Sequence, residues 1–168
     1  MRNHVLIITC IVFSQVTQAQ LKTSTSCPPI SVDLIAGSVN NIHPESPWAE
    51  IYRLFPCFTE AIEEPSATGC AGVFLRDKGI NFYTYRDYIE INQNFKGTII
   101  PAIMGTDRGS LFKSFGLPQT KDILWDGYQM RYGTLVVFQA AMVRSTKSSS
   151  VLKIRLQCGY AISPLFII

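Results

Sequence analysis

The sequence is poor in most of what chemistry needs. Two histidines, His4 and His43, are all it has in 168 residues, and charged residues make up only 16%. A Ser-His-Asp or Cys-His catalytic pair would have to be built on one of those histidines, and no nucleophile-elbow sequence accompanies them. There is no phosphate-binding glycine loop, no H-E-x-x-H and no dinucleotide fingerprint. There is no Asn-x-Ser/Thr acceptor for N-glycosylation. No block of lysine and arginine supports a nucleic-acid partner or an electrostatically driven membrane partner, since the formal net charge is only +3. No apolar run is long enough to cross a bilayer as a helix. The carboxylates Glu60, Glu63 and Glu64 cluster before Pro65, which reads as a solvated acidic face. These absences point away from an enzyme, and no cofactor is called for.

What is present starts with an address. Met1-Arg2-Asn3-His4 is a short basic stretch, followed by nine apolar or small residues at 5–13 and by small residues at Thr17 and Ala19. That is the pattern of a secretory signal, with cleavage expected after Ala19. Residues 1–19 are therefore expected to be a signal peptide and 20–168 a single secreted domain, apolar enough to build a core.

Cleavage removes Cys10 and leaves Cys27, Cys57, Cys70 and Cys158. Four cysteines in an oxidising compartment read as two disulfides, with three connectivities open. A structural zinc site is the rival reading; it lacks C-x-x-C spacing, and only His43 could supply a nitrogen ligand. No metal is expected.

Residues 20–45 read as a polar lead-in without sustained periodicity. Beyond it, short apolar runs alternate with turn residues, the pattern of an all-β domain. Strands are expected at 48–55, 70–75, 80–86, 95–102, 111–115, 122–128, 132–140 and 151–158, with one acidic helical turn at 60–65. Asp77-Lys78-Gly79 is a tight-turn signal, and Pro101 marks the end of a strand or a bend. Eight sequential strands with hairpin-length links predict an antiparallel up-and-down barrel.

Several of these segments carry a family likeness. Trp48-Ala49-Glu50-Ile51-Tyr52-Arg53-Leu54-Phe55-Pro56 resembles the tryptophan motif that opens strand A of the lipocalins. Gly69-Cys70-Ala71-Gly72-Val73-Phe74-Leu75 is similar to their strand B. Gly79-Ile80-Asn81-Phe82-Tyr83 is similar to the turn into strand C. Phe95-Lys96-Gly97-Thr98, residues 109–115 and residues 124–138 follow in the order of strands D, E, and F with G. The likeness covers residues 46–140 and is nearest to the branch of apolipoprotein D, the insect bilin-binding proteins and Lazarillo. Ser46 stands where that family has glycine, the Thr-Asp-Tyr motif is not intact, and no counterpart of the outer C-terminal helix follows Cys158. The expected fold is thus an eight-stranded lipocalin calyx, complete or reduced at its C-terminal end.

The resemblance implies a secreted carrier of one small hydrophobic molecule (a lipid, sterol, retinoid or pigment), without catalysis. The alternative is a secreted β-barrel that acts through loop-mediated protein contacts without a ligand. The resemblance further implies that Cys57 substitutes as partner of Cys27 and that Cys70 pairs with Cys158. An arginine, Arg155 or Arg144, would stack on Trp48 and close the barrel floor. Strand alternation gives each run two faces. Ligand contacts are expected from Trp48 at the closed end, Val73 and Leu75, Phe82 and Thr84, Tyr128, and the face that holds Tyr132 and Phe138 with Thr134 and Val136. A monomer or a weak homo-oligomer is expected.

Overall fold

The computed structural model describes residues 26–63, 71–139 and 151–158. The expected signal peptide lies outside the described residues, as do Cys70, Arg144 and the side chain of Cys158.

The lead-in is the first correction. Residues 30–42 form β1 (Ser31–Asp33) and β2 (Ser38–Val39) and bury Ile30, Val32, Leu34, Val39 and Ile42. Ile30, Val32 and Leu34 alternate with polar neighbours at period two, so the segment turns an apolar edge inward. Asn40 and Asn41, both at positive φ, turn the chain after β2; the Asn40 amide ties that turn to Pro29 O and Ser31 N.

The second correction is α1 (Trp48–Leu54), which occupies the run expected to be the first strand. Its apolar residues recur at helical rather than alternating spacing: Ile51 and Phe55 are buried, and Trp48 stacks on Tyr52 one turn away, with ring centroids 4.6 Å apart. Glu50 in the first turn and Arg53 in the last suit the helix dipole. Residues 60–65, expected as a helical turn, instead begin with β3 (Glu60–Ile62), paired with β4 (Gly72–Leu75).

A short 3-10 turn at Arg76–Lys78 leads from β4 into β5 (Ile80–Tyr83), with Gly79 at φ +73°. A methyl group there would stand 2.6 Å from Phe95 N, so the turn needs glycine twice over. β6 (Tyr88–Asn92), which the sequence reading passed over, follows a second 3-10 turn at Thr84–Arg86. β7 (Thr98–Ile100) ends at a cis Ile100–Pro101 bond and leaves the main sheet to pair in parallel with β1. Residues 111–115, expected as a strand, are α2 (Leu111–Phe115), entered through a 3-10 turn at Arg108–Ser110 and stopped by Gly116 at φ +75°. Asp107 caps that entry, accepting from the Ser110 amide and hydroxyl. β8 (Thr120–Lys121), β9 (Trp125–Met130), β10 (Gly133–Gln139) and β11 (Val151–Cys158) complete the chain.

Eight strands do form one antiparallel sheet, in the order β3-β4-β5-β6-β11-β10-β9-β8. The expected barrel is not formed. Closure of an up-and-down barrel needs the last strand to pair with the first. Here β11 inserts beside β6, so two four-stranded meanders meet in the middle and β3 and β8 are left as edges. Both edges are only two or three residues long, which limits unwanted pairing.

One face of this sheet carries two rows that run across six strands. One is Val73, Phe82, Ile89, Leu156, Leu135 and Tyr128; the other is Leu75, Ile80, Ile91, Ile154, Val137 and Asp126. The small sheet β2-β1-β7, α1 and Leu111 of α2 pack into the same hydrophobic core. The Cys27–Cys57 disulfide ties the lead-in to the end of α1. Tyr132 fastens the same layer from the other side: its hydroxyl donates to Leu34 O, and its ring lies against Gly37, where a methyl would overlap it.

Candidate functional site

The expected ligand residues divide between the two faces. Val73, Phe82 and Tyr128 share one core row and Leu75 lies on the next, all four 3% exposed or less. They face the protein's own side chains. The Phe82 ring packs on Phe55 at 5.2 Å between centroids, and Tyr128 on Phe115 at 5.3 Å. Tyr132 is packed against the edge of the same core. Trp48 is half-buried on α1, stacked on Tyr52, which in turn meets Phe58. Thr84 lies in a 3-10 turn with its buried hydroxyl unpartnered. Phe138 points to the opposite face of the sheet. In β10 it is Leu135 and Val137 that enter the core, so the face expected to hold Thr134, Val136 and Phe138 is the outer one.

That outer face holds a polar and aromatic row instead. Glu60, Phe74, Asn81, Glu90, Arg155 and Val136 are successive cross-strand partners. The Glu90 carboxylate holds Lys153 at 3.2 Å and Arg155 at 3.7 Å. The Arg155 guanidinium stands over Tyr88 and Phe138, 4.4 and 5.5 Å from their ring centroids, and not over Trp48 as expected. Burial pushes the Tyr88 phenol up to about 12, against the opposing pull of Arg155. Glu90 within the apolar alternation Ile89-Glu90-Ile91 was the sequence signal for this row.

The more distinctive polar centre lies where the second core row ends in a carboxylate. Asp126 is only 2% exposed, and an aspartate among aliphatic neighbours must be paired. Arg108, one residue after the α2 entry cap, supplies the partner with a two-pronged grip: Nε donates to Asp126 Oδ2 at 2.8 Å and Nη2 to Oδ1. Gln139 Nε2 donates to Oδ2 at 2.8 Å. The Asp126 hydrogen bonds hold the Arg108 proton still more firmly than usual. The remaining Arg108 donors reach the backbone of the β8–β9 turn, with Nη2 2.6 Å from Asp122 O and further contacts to the carbonyls of Ile123 and Trp125 at 3.4 Å. Asp122 Oδ1 also accepts from the Leu124 amide. The turn backbone is thus held from inside by one guanidinium.

Outside that clamp the surface is apolar. Phe112 is 58% exposed, Leu117 81%, Ile123 85% and Leu124 44%. Half of the eight large hydrophobic side chains exposed among the described residues therefore fall within residues 112–124. Isolated exposed apolar residues mean little; four within thirteen residues of chain are a denser group than the rest of the described surface carries.

Two surface grooves lie elsewhere. One of about 300 Å³ is lined by Asn40, Asn41, Ile42, Glu50, Arg53 and Leu54, and one of about 190 Å³ by Phe95, Gly97, Ile99, Ala102, Met104 and Gln93. Neither contains an expected ligand residue. Among the described residues no three His, Cys, Asp or Glu side chains gather where a metal could sit, and no helix is long and apolar enough to cross a membrane. Searches of protein-family models, curated proteins and solved structures found no match for this chain. The lipocalin likeness rests on the motifs alone, and its leading tryptophan motif lies on a helix.

Proposed function

We propose that this chain is a secreted, non-catalytic binding domain that acts through its surface rather than by enclosing a lipophile. The observation that carries the reading is the filled core face of the main sheet. The residues that would line a calyx touch Phe55, Phe115 and the lead-in layer, and the sheet has two free edges rather than a closed wall. This favours the alternative function, contact through loops, over the carrier. The 112–124 segment carries half of the large apolar side chains left in solvent among the described residues.

The test is titration of the purified secreted chain with retinol and with a fluorescent fatty acid, following Trp48 and Trp125 emission. Linear, non-saturating quenching is expected. Saturable one-to-one binding that is lost in Phe82→Ser, with the variant still folded by circular dichroism, would overturn the reading and restore the carrier.

A further inference from the structure

We infer that Tyr83 and Tyr88 form an oxidative cross-linking site: with a peroxide and a haem peroxidase, the two phenols couple to an intrachain dityrosine that joins β5 to β6. The inference goes beyond the surface-binding reading and does not depend on it.

The placement of the two rings carries it. Tyr83 and Tyr88 are direct cross-strand partners at the end of the β5–β6 pairing. Such partners leave adjacent strands toward the same face of the sheet. Their rings stack with centroids 4.4 Å apart and planes within 23° of parallel. A bond between the rings therefore needs a tilt of the side chains and no movement of the strands. The stack is braced on both sides: Phe74 meets Tyr83 edge-on at 5.2 Å, and the Arg155 guanidinium stands 4.4 Å from the Tyr88 centroid. Neither ring swings away without giving up one of those contacts. Both residues are only partly buried, so an oxidant can reach them. Among the described residues no other two tyrosines are in ring contact.

Each phenol gives one electron and its hydroxyl proton to the oxidised haem, and the two electrons reduce one hydrogen peroxide to two waters. The two phenoxyl radicals then pair their spins in a new bond between the ring carbons next to the oxygens, Cε of each residue. The hydrogen on each of those carbons leaves as a proton and returns through solvent to the oxygen of the same ring, which restores both phenols. The product has lost two hydrogens. Proximity decides where the radicals go. Effective molarities of well-oriented intramolecular partners reach about 10⁵–10⁸ M, so once both rings are oxidised a radical on another chain at micromolar concentration cannot compete. Tyr52 and Tyr85 are the exposed competitors, at 41% and 60% exposure, and they are placed to link one chain to another. The loop that the new bond closes holds only residues 84–87, so it fastens β5 to β6 with little gain in chain entropy.

The experiment is oxidation of the full secreted chain at micromolar concentration with a haem peroxidase and hydrogen peroxide, followed by isolation of the monomer and tryptic mapping. Cleavage after Lys78, Arg86 and Lys96 puts Tyr83 in peptide 79–86 and Tyr88 in peptide 87–96. The monomer is expected to gain the blue fluorescence of dityrosine. Its digest should contain the two peptides joined, lighter than their sum by two hydrogens, with fragmentation placing the link at Tyr83 and not at Tyr85. Tyr83→Phe and Tyr88→Phe keep the rings and should each abolish the joined peptide while leaving the circular dichroism unchanged. Tyr85→Phe should leave the joined peptide in place and lower the yield of cross-linked dimers. Dityrosine confined to dimers, a link at Tyr85, or a joined peptide that survives in Tyr83→Phe would overturn the inference.

Discussion

Phe82 and Asp126 show how much one position in this sheet depends on which row it occupies. Phe82 is walled in by Phe55 above and by Val73 and Ile89 at its sides. Truncation to alanine would leave a void that such a crowded layer cannot collapse into, at a cost of about 3–5 kcal/mol. A side chain lining an open ligand pocket would cost far less to shorten, since solvent or ligand already occupies one side. Denaturant unfolding of Phe82→Ala therefore separates packing from pocket. A loss of about 3 kcal/mol or more is expected, and a loss under about 1 kcal/mol would point to an unfilled interior. Asp126 occupies the same face, but as a charge at the end of an aliphatic row. Its burial is tolerable only because Arg108 and Gln139 use its two oxygens, and that pairing also fixes the β8–β9 turn.

At the scale of elements, the lead-in, α1 and their covalent link form a unit that covers the core face. The Cys27–Cys57 bridge closes a separation of 30 residues that includes β1, β2 and all of α1. Opening it restores the freedom of that loop to the unfolded chain, worth about 3–4 kcal/mol in the chain-entropy account. The double substitution Cys27→Ser/Cys57→Ser should lower unfolding free energy by that order and should speed proteolysis within residues 27–57. Unchanged stability would mean that the layer is held by packing alone. The hairpin of β9 and β10, the β4–β5 turn at Gly79 and the final strand were all legible in the sequence, because period-two alternation and a turn glycine coincide there. Helix α1 was not. Trp48, Ile51, Tyr52 and Phe55 carry a helical spacing, but the run stands first in a series of short apolar segments bounded by turn residues, which suggested a strand. Residues 111–115 misled because five residues are too few to separate the two periods. The disulfide partner Cys57 followed from the resemblance even though the strand A that accompanied it did not form. Alternation along β4 and β5 turned Val73, Leu75 and Phe82 to the inner face, where they lie, while Thr84 falls in the turn beyond β5. Their role could not be read, because what covers that face comes from a segment whose three-residue alternation at Ile30, Val32 and Leu34 is brief.

Across the whole molecule, three tyrosines report on three different seams. Tyr88 lies on the outer face under Arg155, Tyr128 in the core row against Phe115, and Tyr132 between the main sheet and the lead-in, bonded to Leu34 O. Burial is the main cause in each case: it pushes the phenols of Tyr88 and Tyr128 up to about 12, and that of Tyr132 well above the ordinary tyrosine range. An unfolded chain gives up these protons near pH 10, about two pH steps earlier. Below pH 10 both states keep them, and stability is untouched. Above it the unfolded state binds fewer protons than the folded one, so unfolding free energy falls as pH rises and keeps falling through the folded values. Melting temperature should therefore be insensitive to these tyrosines up to pH 9 and drop steeply between pH 10 and 12. The part of the phenolate absorbance near 295 nm that Tyr88, Tyr128 and Tyr132 contribute, isolated by difference from their Phe variants, should rise together with the loss of near-ultraviolet circular dichroism rather than ahead of it. Tyr132→Phe keeps the ring against Gly37 and gives up only the bond to Leu34 O. It should start slightly less stable at neutral pH and show a shallower alkaline decline, so that the two curves converge. Free titration of Tyr88, Tyr128 and Tyr132 near pH 10, with the fold intact, would mean that the three seams admit water and that the layers are not packed as described.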